Sequence, residues 1–338
     1  MGNCLQRKKT KNAKKRRFSV GRLPTITENP NKITKEYRLQ SLIKQIDPHY
    51  NVFSAYNVRT HQKYVVRKYQ CGGDEERDAS KEIEIHADLD HPFIMNIVEY
   101  FKSKFCIFLV TEFFDGKNLS DYIVESDKFE EKDIINIIRQ LLVVTNYAHK
   151  RGIMNRNLSL NNLMYNGNSI KIIGFNMAER FVKGQCLRDR PRSLFHYRSP
   201  EMLKQRYDEK CDVWAIGVIA HVLLTGSYPF DNATADLTKN DIMNKSLDLE
   251  KLKNLKVSAD ASDFIKKSLT KFKDHRPSAE EFINHRWLEN NSRTSLNLKL
   301  NKTIINNINN FHTKTISKKQ YSHSLCLKWH MKMKGNML

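Results

Sequence analysis

The chain has 338 residues, 40% of them apolar, and a formal net charge of +21. That length and composition suit one large soluble domain with tails, and since no run of about 18 apolar residues occurs, no transmembrane helix is predicted. The six cysteines show neither paired nor zinc-type spacing, so we expect reduced intracellular thiols and no metal site of that kind.

The positive charge is concentrated at the two ends of the chain. Residues 1–36 carry a net charge of +9, residues 289–338 carry +8, and the span 37–288 keeps only +4. This distribution predicts a basic N-terminal arm, a nearly neutral central domain and a basic tail. It also indicates that the arms, and not a face of the domain, bind an oppositely charged surface.

The N-terminal arm begins Met-Gly-Asn-Cys, a start typical of proteins that are myristoylated at Gly2 and palmitoylated at Cys4. The basic run 7–17 would add about 1 kcal/mol of attraction per residue to an anionic leaflet. We therefore expect the arm to lie at the cytoplasmic face of a membrane; a nuclear or nucleic-acid-binding arm is the alternative. Ser19 is a candidate phosphorylation site whose phosphate would weaken the membrane contact.

The predicted elements divide the central domain into two lobes. Residues 20–35 contain Gly, Pro, Thr and Asn and predict a linker. Residues of about 37–112 are strand-rich with one helix at 79–87, whereas about 113–288 show apolar residues at helical spacing. The sequence therefore predicts an α+β fold with a small β-rich lobe and a larger helical lobe.

Two short segments carry the strongest resemblance to a known family. Residues 155–162 are Asn-Arg-Asn-Leu-Ser-Leu-Asn-Asn, and 174–176 are Gly-Phe-Asn. They resemble the His-Arg-Asp-Leu-x-x-x-Asn and Asp-Phe-Gly motifs of protein kinases. Later landmarks of that family follow in the correct order over roughly 250 residues, so the resemblance implies the bilobal protein kinase fold.

The resemblance also implies that the catalytic groups are replaced. Asn155 stands at the histidine position, Arg156 is kept, and Asn157 stands where the catalytic base should be. Asn162 is kept, but Gly174 stands where an aspartate should hold Mg²⁺. An amide cannot accept a proton near neutral pH, general-base help is worth ~10²–10⁴ in rate, and glycine has no ligand to offer a cation.

The residues at the family's nucleotide-binding positions are altered too. Residues 64–68 resemble the Val-Ala-Ile-Lys strand, and we assign Lys68 as the phosphate-pairing lysine, with Glu82 as its partner. A structural ion pair between them is favoured over ATP binding, and any ATP would bind without a working Mg²⁺ site. The loop glycines are replaced by Gln45, Asp47 and Tyr50. The resemblance further implies these pocket-lining positions: Val52, Val66, Thr111 and Glu112.

Other matches imply structural roles. Glu201, in a Ser-Pro-Glu motif, should pair with Arg276, and Asp212 should hold the backbone of the catalytic loop. Arg156 should receive a phosphate from the segment before Glu201, where Ser193 is the nearby candidate and the Arg-rich stretch 188–192 offers other anion contacts. His86 and Asn155 occupy packing positions that are usually apolar or aromatic.

The basic tail contains apolar residues at helical spacing: Leu296, Leu300, Ile304, Ile308 and Phe311. With the preceding domain, it resembles the autoinhibitory junction of calcium-dependent and calmodulin-regulated protein kinases. No EF-hand loop occurs in the sequence. The tail is either a groove-docking helix or target of a calmodulin-like protein, or a solvated Asn/Lys-rich segment.

Three functions fit these observations. The first is an inactive kinase-like scaffold or allosteric regulator at a membrane, with an active kinase or a calcium sensor as its partner. The second is an unorthodox serine/threonine kinase in which Asp47, Glu179 or Asp189 has moved into the site. The third is a basic-arm nuclear or nucleic-acid-binding protein, the least favoured of the three.

Overall fold

A computed structural model describes residues 26–47, 50–125, 130–189 and 193–289. The predicted lipidation sites Gly2 and Cys4, the candidate phosphorylation site Ser19 and the tail helix lie outside these residues. Among the described residues, no helix combines the length and the apolar content that crossing a membrane requires.

The N-terminal lobe is a six-stranded sheet in the order β1-β5-β6-β4-β3-β2. Neighbouring strands are antiparallel except β1 and β5, which are parallel. The elements are β1 (Thr27–Glu28), α1 (Ile33–Glu36), β2 (Tyr37–Asp47), β3 (Tyr50–Asn57), β4 (Lys63–Gln70), α2 (Asp74–His86), β5 (Ile97–Lys102) and β6 (Cys106–Glu112).

Two of these elements differ from the sequence-based expectation. Helix α2 begins five residues before the predicted 79–87, because three acidic residues follow Gly73 and stabilise a helix N-terminus. Within the predicted linker 20–35, residues 27–28 form β1 and residues 33–35 belong to α1. Ile33 is buried in the lobe, so this segment gains enough apolar contact to fold onto the sheet.

The C-terminal lobe is mainly helical and contains two small sheets, in the orders β10-β9-β7 and β11-β8. Single 3₁₀ turns lie at Leu160–Asn162, Phe195–Tyr197 and Lys273–His275. The elements are β7 (Lys117–Asn118), α3 (Leu119–Glu125), α4 (Glu131–Lys150), β8 (Ile153–Met154), β9 (Leu163–Tyr165), β10 (Ile170–Ile172), β11 (Glu179–Arg180), α5 (Pro200–Leu203), α6 (Lys210–Thr225), α7 (Ala235–Asn244), α8 (Leu249–Asn254), α9 (Ala259–Ser268), α10 (Ala279–Phe282) and α11 (Arg286–Glu289).

The largest apolar core lies in the C-terminal lobe around α4 and α6, and residues 211–225 of α6 are all buried. Smaller cores cover the two faces of the N-terminal sheet. One contains Val66 beneath α1, and the other contains Ala79 of α2. The predicted bilobal α+β fold is therefore confirmed, with a cleft between α2 and β4 of one lobe and the loops around β8 and β10 of the other.

Candidate active site

The buried ion pair at the top of the cleft joins β4 to α2, and it corrects the sequence-based assignment. Arg67 Nη1 donates to both carboxylate oxygens of Glu82, at 2.9 and 3.0 Å. The hydroxyl of Tyr69 donates to the same carboxylate at 3.2 Å. The prediction that Lys68 pairs with Glu82 is wrong. In a strand, successive side chains point to opposite faces, so only one of two adjacent basic residues can face α2.

The residue at the lysine position is therefore an arginine. Tyr-Val-Val-Arg aligns with Val-Ala-Ile-Lys when Arg67 takes the fourth place, whereas Val-Val-Arg-Lys keeps the lysine at Lys68, so the sequence by itself does not choose between them. Burial alone would raise the pKa of the Glu82 carboxyl, but the Arg67 guanidinium and the nearby His86 outweigh it, so that the pKa is lowered. Arg67 thus serves as the counter-ion of a fully buried carboxylate.

The same alternation decides which pocket residues face the cleft. Val52 lies opposite Arg67 on the neighbouring strand and shares its face. The resemblance places Val66 in the pocket lining, but Val66 is fully buried in the core on the other side of the sheet. Val65 takes its place, directly opposite Thr111, whose hydroxyl donates to the Val65 carbonyl at 3.3 Å.

Glu112 acts as a connector at the junction of the lobes. Its Oε1 accepts from Lys171 Nζ of β10 at 2.6 Å and from the backbone N–H of Asn96 at 2.8 Å. Lys171 Nζ also donates to the carbonyl of Ile94 at 3.1 Å. The carboxylate that the resemblance placed in the nucleotide pocket therefore ties β6 to the C-terminal lobe.

A buried aromatic contact closes the back of the cleft. The ring of Phe175 meets the imidazole of His86 edge-on, with ring centroids 5.3 Å apart. The backbone N–H of Phe175 donates to Glu82 Oε1 at 3.3 Å. Burial lowers the pKa of His86 to about 4, although the Glu82 carboxylate opposes that shift. At neutral pH His86 is therefore an uncharged packing residue between α2 and Phe175.

His86 should make the fold sensitive to acid. Its folded pKa of about 4 lies below the ordinary value of 6.5, so the unfolded chain binds the proton first and stability is lost as pH falls from 6.5 towards 4. At pH 5 that loss is about 2 kcal/mol. Between pH 7 and pH 5, the free energy of unfolding of His86→Phe, measured in urea, should fall by about 2 kcal/mol less than that of the wild type. Buried His221, whose pKa is also lowered to about 4, leaves both proteins some acid sensitivity. Equal losses in both would contradict the assignment.

The catalytic-loop backbone is held by one buried carboxylate. Asp212 accepts the backbone N–H groups of Asn155 and Arg156, both at 2.8 Å. His149 Nε2 lies 2.9 Å from the same carboxylate, a partner that sequence reasoning missed because it is 63 residues away. Arg156 adopts the left-handed conformation, with φ at 63°, which these contacts hold in place.

The asparagines of the loop bind backbone groups. Asn155 Nδ2 donates to the carbonyl of Gly174 at 3.2 Å, and its Oδ1 accepts the N–H of Asn157 at 3.1 Å. Asn162 Nδ2 donates to the carbonyl of Asn157 at 2.8 Å. The carboxamides of Asn155 and Asn162 therefore shape the loop, while Asn157 itself is half-buried at the position of the base.

Gly174 leaves room for a β-carbon. Among the described residues, a Cβ at this position would meet only Asn176 Oδ1, at an ordinary contact distance of 3.7 Å. Packing therefore does not require glycine here. Across the part of the chain that the structure describes, no group of three or more His, Cys, Asp or Glu side chains is arranged to hold a metal ion.

The guanidinium of Arg156 is surrounded by acidic and polar partners. Its Nη1 donates to Asp189 at 2.6 Å and to the Tyr207 hydroxyl at 2.7 Å, and its Nη2 lies 3.5 Å from Glu179. Glu179 also pairs with Lys81 of α2. Asp189 is thus the anion beside Arg156, and its pKa is lowered, because hydrogen bonds from Tyr207 and Arg156 outweigh the raising effect of burial.

Two sequence-based alternatives can be compared with this network. Ser193, the candidate source of a phosphate for Arg156, is buried, and its hydroxyl has no hydrogen-bond partner among residues 26–47, 50–125, 130–189 and 193–289. Glu179 and Asp189, proposed as relocated catalytic acids, are both engaged by Arg156. Asp47, the third proposed acid, lies at the end of β2.

The base of the C-terminal lobe contains a second buried ion pair. Arg276 donates through Nη1 and Nη2 to the two carboxylate oxygens of Glu201, at 2.6 and 3.1 Å. It also donates to the carbonyls of Thr270 and Lys210. The structure thus brings together the two residues that the resemblance paired.

Comparison with known proteins gives a consistent result. The model of the protein kinase domain family matches residues 50–288. Calcium-dependent protein kinase 4 of Plasmodium berghei is 32% identical over 233 residues, which cover 67% of this chain and 44% of that protein. Calcium-dependent protein kinase 5 of Plasmodium falciparum is 30% identical over 271 residues, covering 78% and 47%. The chain spans about half the length of these relatives.

Proposed function

This chain belongs to the protein kinase family, with calcium-dependent protein kinases among its relatives, and we propose that it is a catalytically inactive member that works as a scaffold or allosteric partner. One observation carries the proposal. The base position is Asn157, and the metal position is Gly174, which has no side chain although its surroundings leave room for a β-carbon. Both chemical parts of phosphoryl transfer are therefore missing from a cleft whose framework is intact.

The nucleotide end of the cleft supports the same proposal. In a working kinase, a lysine at this strand position contacts the ATP phosphates and pairs with the helix glutamate. Arg67 occupies that position and neutralises the buried carboxylate of Glu82. Any Mg-free nucleotide would have to bind between Val52, Val65 and Thr111, without help from a glycine loop.

The intact framework is what a scaffold needs. Three ion pairs join α2 and the turn after it to the segment that follows Phe175: Lys81 with Glu179, Arg180 with Glu84, and Arg180 with Asp88. Asp189 supplies the anion beside Arg156, so the segment is held without an added phosphate. A surface fixed in this way can present one shape to a protein partner without any catalytic cycle.

The proposal is tested by binding and transfer assays on the full chain. We expect millimolar Mg-ATP to raise the melting temperature no more than ATP with EDTA does, and no transfer to a basic peptide. Ligand at 100 times its Kd would add ~2.7 kcal/mol. Mg-dependent stabilisation of the wild type, with phosphate transfer, would instead establish the unorthodox kinase.

A matched pair of variants sharpens the test. Gly174→Asp should fold and acquire a Mg-dependent rise in melting temperature with ATP, since the carboxylate restores an oxygen ligand. Gly174→Asn has nearly the same shape without the charge and should not. Failure of both variants to fold would contradict the inference from the space around Gly174.

Location and partners are part of the proposal. The acylation signals at Gly2 and Cys4, followed by a basic run, support attachment to an anionic membrane surface. The basic, amphipathic tail supports binding to a calmodulin-like calcium sensor or to an active kinase. Labelling with a myristate analogue tests the first point, and absence of label on the wild type would remove it.

A further inference from the structure

The C-terminal part of the N-terminal arm wraps around one edge of the N-terminal sheet. Its strand β1 pairs in parallel with edge strand β5, with Thr27 opposite Glu99 and Glu28 opposite Tyr100. The backbone N–H of Asn29 extends the pairing by donating to the carbonyl of Tyr100 at 2.8 Å. Residues 26–37, here named the strap, therefore cover an edge that would otherwise expose unpaired backbone groups.

The strap contacts both faces of the sheet. On one face, Ile26 packs against the apolar cluster that includes Ala79 of α2 and Ile97 of β5. On the opposite face, Ile33 and Tyr37 are buried in the core that contains Val66. The strap therefore begins on the face of the sheet that packs against α2 and ends on the opposite face, so it is anchored on both sides of the sheet edge.

Glu99 fixes the middle of the strap. Its Oε2 accepts from Asn29 Nδ2 at 2.8 Å, and its Oε1 accepts from the Tyr37 hydroxyl at 2.6 Å. Tyr37 is 3% exposed, and burial together with the Glu99 hydrogen bond raises its pKa, so the hydroxyl stays protonated and donating. One carboxylate thus joins two points of the strap to β5.

We infer that the strap couples the N-terminal arm to helix α2, with Ile26 filling an apolar socket between α2 and β5. Ile26 is the first residue of the strap, so a force or ligand acting on residues 1–25 of the arm bears first on this side chain. If Ile26 leaves its site, the apolar cluster that packs against α2 loses contact area. Helix α2 also carries Glu82 and His86 of the cleft. The inference does not depend on whether the chain is catalytically active.

Hydrogen exchange of the full chain, read by mass spectrometry, tests the coupling. Ile26→Ala should speed exchange of the α2 amides by ~5-fold and leave α4 and α6 unchanged, because local stability falls where packing is lost. Thr27→Glu should act similarly, since it places a carboxylate in register with Glu99. Thr27→Gln is the control of matched shape and should behave as wild type.

Each outcome decides the inference. Faster exchange in β1 and β5 without any change in α2 would show that the strap undocks independently of the helix and would overturn it. Unchanged exchange everywhere would overturn it as well. If Ile26→Ala does not fold, the comparison of Thr27→Glu with Thr27→Gln stands alone and is read in the same way.

Discussion

Replacing Arg67 with alanine is expected to lower the free energy of unfolding by about 3–5 kcal/mol. The Glu82 carboxylate is fully buried, and its charge is balanced chiefly by the Arg67 guanidinium at 2.9 Å. Removing the guanidinium leaves a carboxylate without its counter-ion in an apolar setting. It must then take up a proton or remain charged at high cost, and urea unfolding at pH 7 measures the difference.

Lys68→Ala is the matched control, because it removes a basic side chain from the adjacent position on the other face of β4. We expect it to cost no more than about 1 kcal/mol, as for a surface charge. Arg67→Lys should lie between the two alanine variants, since it keeps the charge and loses the planar fork. If Lys68→Ala proved the more damaging change, the assignment of Arg67 as the partner of Glu82 would be wrong.

Replacing Arg276 with alanine is expected to cost at least as much, about 3–5 kcal/mol. Arg276 is 1% exposed and binds both oxygens of Glu201. Its loss would also remove donors from the carbonyls of Thr270 and Lys210. Since an unsatisfied buried acceptor carries its own penalty, the total effect exceeds that of an ion pair in isolation.

Arg286→Ala provides the comparison in the same lobe. Its side chain is 69% exposed and pairs with Asp260, so we expect a change of less than about 1 kcal/mol. Circular dichroism at rising urea concentration would separate the two variants clearly. A loss at Arg276 as small as that at Arg286 would mean that the lobe relaxes to hydrate Glu201.

Two ion pairs beside the cleft, Arg67 with Glu82 and Arg156 with Asp189, bear on the proposed function. Because an unpaired buried charge destabilises a fold, the Arg67–Glu82 pair supports the framework whether or not the chain transfers phosphate. Here Arg67 balances Glu82, and Asp189 provides an anion for Arg156. The groups that hold the shape are in place, and the residues Asn157 and Gly174 at the family's base and metal positions support the proposal that the chain does not transfer phosphate.

Much of the fold and of the site chemistry can be predicted from the order of residues along the chain. The succession of motifs from Asn155 to Arg276 is enough to identify the family and the two lobes, because each motif keeps its place. The replacement of the base and of the metal ligand can be read directly at Asn157 and Gly174. Residue identity alone decides whether a proton acceptor or an oxygen ligand is present.

The amino-acid sequence leaves open every question that depends on which face a side chain occupies. Arg67 and Lys68 are adjacent and alike in charge, and only the packing of α2 against β4 selects the first. Ser193 and Asp189 both lie a short distance before Glu201 in the sequence. Of these two residues, Asp189 is the one that binds Arg156 in the described part of the chain.

The family, the two-lobed fold and the identity of the residues at the family's base and metal positions, Asn157 and Gly174, therefore follow from the sequence alone. Three other points required the folded chain: which residue balances Glu82, which anion holds Arg156, and that residues 26–37 form a strap. The difference arises because chemical type is a property of one residue. Partnership instead depends on strand register, burial and distances between segments far apart in the chain.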